Sequence, residues 1–360
     1  MKKRVLSFLT AAVMTTAMIL SGCSGSQTAA TTAAPASAET KAETTEAAKT
    51  EAATTTAAPA EKKEIVVGFS QVGAESDWRT ANTESMKSTF TEANGYKLIF
   101  DDAQQKQENQ LKAVRNFIQQ DVDYIVIAPV TETGWDTVLQ EAKDAGISVI
   151  IVDRMINVSD DSLYTAWVGS NFLQEGYDAV AWLDEYLKKN NRADEDINIV
   201  TLQGTIGSSA QIGRTNGVEE KMKDHSKWKM LERQTGEFTQ AKGQEVMESF
   251  LKTYDDIDVV IAENDNMAFG AIDAIKAAGK TCGPKGDITV ISFDAVAAAF
   301  DSMIAGDMNV SVECNPLHGP RVAEIIQKLE KGEKVDKIAY VKEGVFPADT
   351  AAAEKPKRQY

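Results

Sequence analysis

From residue 65 onward the chain alternates apolar, β-branched runs with segments of helical period. Residues 65–71 read as a strand, 77–94 as a helix and 96–102 as a strand, with Ser76 or Asp77 as the helix N-cap. A helix over 106–120 follows, with Leu111, Val114, Arg115 and Ile118 at helical spacing. Strand 124–130, helix 134–145 closed by Gly146, and strand 148–153 complete a first unit. Tyr124-Ile125-Val126-Ile127 has no polar side. A strand of that kind belongs in a parallel sheet covered on both faces.

A strand over 163–170 leaves this unit and the pattern restarts. Helices are expected at 173–189, 209–224, 239–254, 266–278 and 296–304, and strands at 197–203, 228–235, 258–263 and 288–293. A strand over 310–314, a helix over 319–330 and one extended piece over 337–345 close the chain. The fold class is therefore α/β, with two doubly wound parallel-sheet lobes. The late closing helix implies several chain crossings between them.

The first 63 residues have another character. Lys2, Lys3 and Arg4 precede an apolar run from Val5 to Leu20, too short for a comfortable span, in the layout of a secretory signal. It ends Leu20-Ser21-Gly22-Cys23, which resembles the bacterial lipobox, so residues 1–23 are expected to be a lipoprotein signal peptide ending at lipidated Cys23. Residues 24–63 are rich in Ala, Thr, Ser and Glu, with no aromatic or branched aliphatic side chain. Such a stretch cannot offset chain entropy by burial and is expected to be a disordered tether reaching about 35 Å.

The net charge of −16 argues against nucleic acid as a partner. Three cysteines and two separated histidines offer little for a metal site or a disulfide framework, and none is expected. His225 and His318 are assigned to surface or packing. The turn Gly204-Thr205-Ile206-Gly207-Ser208-Ser209 has neither the Lys of a phosphate-binding loop nor a GxGxxG spelling, and no nearby His could activate its serines. No cofactor is expected, and no enzymatic activity.

What ends each strand is more telling. Glu75, Trp78 and Arg79 follow the first strand, and Asp153 and Arg154 end the fourth. Arg214 comes early in the helix after Gln203-Gly204. Phe238, Asn264 and Asp294 lie just beyond or at the ends of later strands. In open α/β sheets ligands bind beyond the carboxyl ends of strands. Acids, amides and planar guanidinium groups fit hydroxyls at fixed angles, and aromatic plates fit the C–H faces of a sugar ring. Each residue alone has a blander reading, as an N-cap or an ion pair. Trp135 reads as packing, and Glu313 and Cys314 as either hinge packing or cleft lining.

These residues resemble the type I periplasmic sugar-binding proteins of ABC importers, in the ribose/galactose group. Gly68-Phe69-Ser70-Gln71-Val72-Gly73-Ala74-Glu75-Ser76-Asp77-Trp78-Arg79, Val152-Asp153-Arg154, Leu202-Gln203-Gly204-Thr205 and Gly236-Glu237-Phe238-Thr239 are similar to motifs of its galactofuranose-binding branch. The resemblance implies two lobes joined by a three-strand hinge: residues 64–170 plus 315–341, and residues 171–314 plus 342–360. It implies that Trp78 and Phe238 sandwich one sugar ring, that Glu75, Arg79, Asp153 and Arg154 bind hydroxyls from one lobe, and that Arg214, Asn264 and Asp294 bind from the other. Glu313 is a further candidate, beside Cys314, which stands where ribose binders carry a hinge Gln. The implied protein is a monomer anchored to the membrane through lipid only, on the outer face of the cell membrane, delivering its sugar to a permease. A chemotaxis or sensor-kinase partner and a secreted glycosidase are the alternatives. A repressor of the same core would need an N-terminal helix-turn-helix, where this chain has its signal and tether.

Overall fold

A computed structural model describes residues 64–360; the expected signal peptide, Cys23 and the expected tether lie outside the described residues. The first lobe begins with β1 (Ile65–Gln71), α1 (Asp77–Thr89), β2 (Tyr96–Asp102), α2 (Gln107–Gln119), β3 (Tyr124–Ile127), α3 (Asp136–Asp144), β4 (Ser148–Val152) and β5 (Ala166–Gly169). The chain then crosses into α4 (Phe172–Lys189), β6 (Ile197–Gln203), α5 (Ser209–Met222), β7 (Trp228–Thr235), α6 (Gln240–Thr253), β8 (Val259–Ala262), α7 (Asp265–Ala277), β9 (Thr289–Asp294), α8 (Ala297–Ala305) and β10 (Val310–Glu313). Helix α9 (His318–Glu330), β11 (Ile338–Tyr340), β12 (Val345–Pro347) and α10 (Ala351–Glu354) follow.

Two sheets of six strands result, in the orders β11-β5-β4-β3-β1-β2 and β12-β10-β9-β8-β6-β7. Every pairing is parallel except β10 with β12. The expected extended piece over 337–345 is two strands in different sheets. Lys342-Glu343-Gly344 carries the chain between them, making a third crossing after those that follow β5 and β10.

The continuous apolar strands are explained by burial on both faces. Val67, Phe69, Val126 and Val152 pack on Met86, Val322 and Ile326 from α1 and α9. Their neighbours Ile125, Ile127, Val149 and Ile151 pack on Val114, Phe117, Trp135 and Leu139 from the other side. Gly68 lets α2 approach, since a Cβ there would lie 2.5 Å from the Phe117 ring.

Several boundaries are tighter than the pattern indicates. The first helix ends at Thr89, because Phe90 turns out of helical geometry and packs its ring edge-on against Tyr96 at 5.0 Å. Strand β3 ends at Ile127, two residues before Pro129, which has no N–H to give the ladder. Ser76 rather than Asp77 caps α1, its hydroxyl accepting from the Arg79 N–H at 3.1 Å. His318 is buried, and burial holds its imidazole down at about 4, so it is neutral near pH 7. Trp135 has no exposed surface. Removing its side chain by Trp135→Ala is expected to cost about 3–5 kcal/mol in denaturant unfolding, with an unchanged m-value.

Candidate functional site

The three crossings place the carboxyl ends of both sheets face to face. Three bonds join the two sides across the gap: Glu132 N–H to the Gly207 carbonyl at 3.0 Å, Met155 N–H to Ser209 Oγ at 2.8 Å, and Asp77 N–H to Asn266 Oδ1 at 3.0 Å. The lobes are thus closed on each other. Between them is a small cavity with room for about 20 Å³ of solvent.

Glu75, Trp78, Arg79, Asp153, Arg154, Arg214, Phe238, Asn264 and Asp294 all line this cavity. Ser76, Phe172, Ala210 and Cys314 line it too. Phe172 was hidden in sequence because it starts an amphipathic helix, where an aromatic reads as core. Glu313 does not line it. Its carboxylate is held by Arg358 Nη2 and the Tyr360 hydroxyl, both at 2.8 Å, and by the Gly344 N–H at 3.0 Å. Glu313 ties the C-terminal residues to the third crossing, so the contact it makes is structural.

On the first lobe two guanidinium groups share two acids. Arg79 Nε lies 3.1 Å from Glu75 Oε1, and its Nη2 lies 2.8 Å from Asp153 Oδ2. Arg154 is only 3.7 Å from Glu75 and 3.9 Å from Asp153, and donates to the Val130 carbonyl at 3.1 Å. Burial lowers both cations, but for Arg79 the pull of Asp153 and Glu75 outweighs it and its pKa is raised. For Arg154 burial and repulsion from Arg79 win, and its pKa falls to about 10. Arg154 is therefore the under-neutralised member, with donors to spare for a ligand.

On the second lobe Arg214 is held by Glu175 Oε2 at 2.6 Å, the Glu263 carbonyl at 2.5 Å and Asp294 Oδ1 at 3.4 Å. Burial pushes Asp294 well above the usual carboxylate range, with Arg214 opposing. Asn264 caps α7, accepting from the Met267 N–H at 2.9 Å and donating to the Phe238 carbonyl at 3.1 Å. The aromatic plates are each backed by a cation. The Arg79 guanidinium carbon sits 4.6 Å from the Trp78 ring centroid, and that of Arg154 5.1 Å from Phe238. The Trp78 indole N–H also donates to the Cys314 carbonyl at 2.6 Å, locking α1 to the second crossing.

Three of these residues have left-handed backbone: Asp153 at φ 62°, Phe238 at φ 62° and Asp294 at φ 105°. Asp tolerates this region, whereas a bulky Phe resists it. Such conformations cost of order 1–3 kcal/mol each and persist only where surroundings enforce them. Around Asp153 the enforcement is visible: its N–H donates to the Val168 carbonyl at 2.9 Å and its carbonyl accepts from the Trp167 indole at 3.2 Å. Gly204 makes room for Phe238, since a Cβ there would lie 1.9 Å from its Cζ.

Glu263 sits beneath this corner, accepting from the Gly204 N–H at 2.7 Å and the Thr215 hydroxyl at 2.5 Å. Burial pushes it up to about 7 despite those bonds and Arg214. A raised folded-state value means that Glu263 stabilises the fold fully below its ordinary value of 4.5 and loses that contribution as pH rises through about 7. Glu263→Gln should therefore gain on the wild type between pH 5 and pH 8, by on the order of 2–3 kcal/mol, read from paired thermal or urea unfolding curves. Gly204→Ala should displace the Phe238 ring and quench any ligand-induced change in melting temperature while the far-UV spectrum stays native.

The model of the periplasmic binding protein domain matches residues 67–334. The galactofuranose-binding protein YtfQ of Escherichia coli is 44% identical over 299 residues, 82% of this chain and 92% of its own. The periplasmic binding protein of the arabinose ABC transporter from Shewanella sp. ANA-3, solved with α- and β-L-arabinofuranose, is 46% identical with a TM-score of 0.77, covering 82% of this chain and 95% of its own. A protein of Mycobacterium smegmatis in complex with β-D-fucofuranose is 44% identical with a TM-score of 0.78, over 82% and 95% of the two chains. Match length, identity and superposition agree with the two-lobed architecture, and this chain belongs to the periplasmic binding protein family.

Proposed function

We propose that this protein captures one monosaccharide in its furanose form, galactofuranose or a related galactose- or arabinose-type sugar, and delivers it to an ABC transporter permease. The observation that carries this is the composition of the cavity. Three carboxylates (Glu75, Asp153, Asp294) face three guanidinium groups (Arg79, Arg154, Arg214), beside the aromatic faces of Trp78 and Phe238. A formally balanced set favours a neutral ligand rich in hydroxyls over an anion or a cation. The relatives named above, with their furanose ligands, support the ring form.

In this reading Trp78 and Phe238 hold the ring. Glu75, Arg79, Asp153 and Arg154 take hydroxyls from one side, and Arg214, Asn264 and Asp294 from the other. The two rigid bodies are residues 64–170 with 315–341 and residues 171–314 with 342–360. Among the described residues three hydrogen bonds cross the cleft away from the hinge, so sugar contacts made by both lobes supply the preference for closure. Lipidated Cys23 and the residues 24–63 would keep a monomer at the outer face of the cell membrane, near the permease.

Calorimetric titration with galactofuranose, L-arabinose, D-galactose, D-ribose and D-fructose tests the reading. Saturable 1:1 binding is expected for a sugar that can present a furanose ring, and that sugar should be recovered unchanged. Release of p-nitrophenol from p-nitrophenyl galactofuranoside or arabinofuranoside, assayed alongside, would instead indicate a glycosidase. Trp78→Ala and Asp153→Ala should each weaken binding by about 100-fold or more while thermal unfolding stays cooperative. Near wild-type affinity in either folded variant would refute the site.

A further inference from the structure

Behind the cleft lies one cluster of chemically reactive groups to which no sugar contact is assigned above. Ser170, Cys314 and Glu343 sit one on each of the three crossings, and Glu175 lies in the first turn of α4, just after the first crossing. The donor atoms of Glu175, Cys314 and Glu343 lie within 4.8 Å of one another. Glu343 Oε1 is fixed by the Ser170 hydroxyl at 2.6 Å and the Asn315 N–H at 2.7 Å, and the Cys314 Sγ lies 3.2 Å from Ser170 Oγ. Glu175 Oε2 is engaged with Arg214, but Glu175 is only 3% exposed and its Oε1 is buried without a hydrogen-bond partner.

A second cavity, of about 90 Å³, opens beside this cluster. Glu175, Asp178, Glu313 and Glu343 line it, and no Lys or Arg does. Arg358 neutralises Glu313, and Arg214 neutralises one side of Glu175. Glu343 has no ion pair within 4 Å among the described residues. The concavity is therefore acidic, and two of its lining residues, Glu175 with its orphaned buried oxygen and Glu343, also neighbour the Cys314 thiol.

We propose that Glu175, Cys314 and Glu343 form a binding site for a thiophilic divalent cation, with Zn²⁺ as its best fit, at the point where the three crossings meet. Zn²⁺ takes thiolate and carboxylate ligands at about 2.3 and 2.0–2.2 Å, so donors around one ion lie roughly 3.5 Å apart. Small side-chain shifts bring the three donors to that spacing, and the cavity leaves the fourth position to water. Binding forms the Zn–S bond and releases the Cys314 thiol proton to solvent, so affinity rises with pH. Because Glu175 also holds Arg214, and Cys314 also lines the sugar cavity, the ion fixes the hinge and the floor of the cleft together.

The test uses the full chain with ZnCl₂ alone, without sugar. Zn²⁺ at about 100 times its Kd should raise the wild-type melting temperature by about 3 °C or more with 1:1 calorimetric stoichiometry. Glu343→Gln keeps an acceptor for Ser170 and Asn315 and all three cysteines, and should lose at least about three-quarters of that shift. Co²⁺ should give thiolate charge-transfer absorption in the wild type and none in Cys314→Ser. No saturable Zn²⁺ binding, or an equal response in Glu343→Gln, would overturn the proposal. Sugar binding is measured separately on the same samples, so failure of the cation site leaves the sugar reading standing.

Discussion

Burial of charge is the constraint around which this molecule is arranged. Three guanidinium groups and three carboxylates line one cavity, each side chain almost wholly buried. An isolated ion there would cost several kcal/mol, and removing one partner from such a set strands the other. The groups are accordingly fixed from behind: Arg79 by Gln71 as well as its acids, Arg154 by Val130, and Arg214 by Glu175 and Glu263. Satisfaction is uneven. Arg79 is over-compensated and Arg154 is not, and that difference leaves donors on one particular wall of the cleft.

This arrangement needs backbone that L-residues avoid. Asp153, Phe238 and Asp294 adopt left-handed conformations at the ends of, or beyond, β4, β7 and β9, and the sheets enforce them through ladder bonds and through glycines that make room. The strain lies where side chains must turn from the strand direction into the gap. It is local, and the parallel sheets that carry it are buried on both faces and stiff.

The three crossings perform two tasks. They connect the lobes, and they bring Ser170, Cys314 and Glu343 into one hydrogen-bonded knot behind the cavity. Trp78 ties the binding wall to that knot through the Cys314 carbonyl. Any change in the angle between the lobes would therefore pass through residues that touch the cavity.

The alternation of apolar runs with helical-period segments determined the two α/β lobes, because parallel strands buried on both faces leave an unbroken apolar signature. The strand-end rule located nine residues of the cavity, since Asp, Asn, Arg and aromatics beyond strand ends have few competing reasons to recur together. The chain pattern missed Phe172, whose position in a helix imitates core, and left Glu313 between hinge packing and a sugar contact, because only three-dimensional packing shows Arg358 and Tyr360 claiming it. The 337–345 piece reads as one extended segment because a two-sheet crossing leaves no local mark. Residues 175, 314 and 343 offer no metal spacing in sequence. Their meeting, the left-handed turns and the unequal neutralisation of Arg79 and Arg154 depend on distances between segments far apart in the chain, which only the tertiary structure fixes.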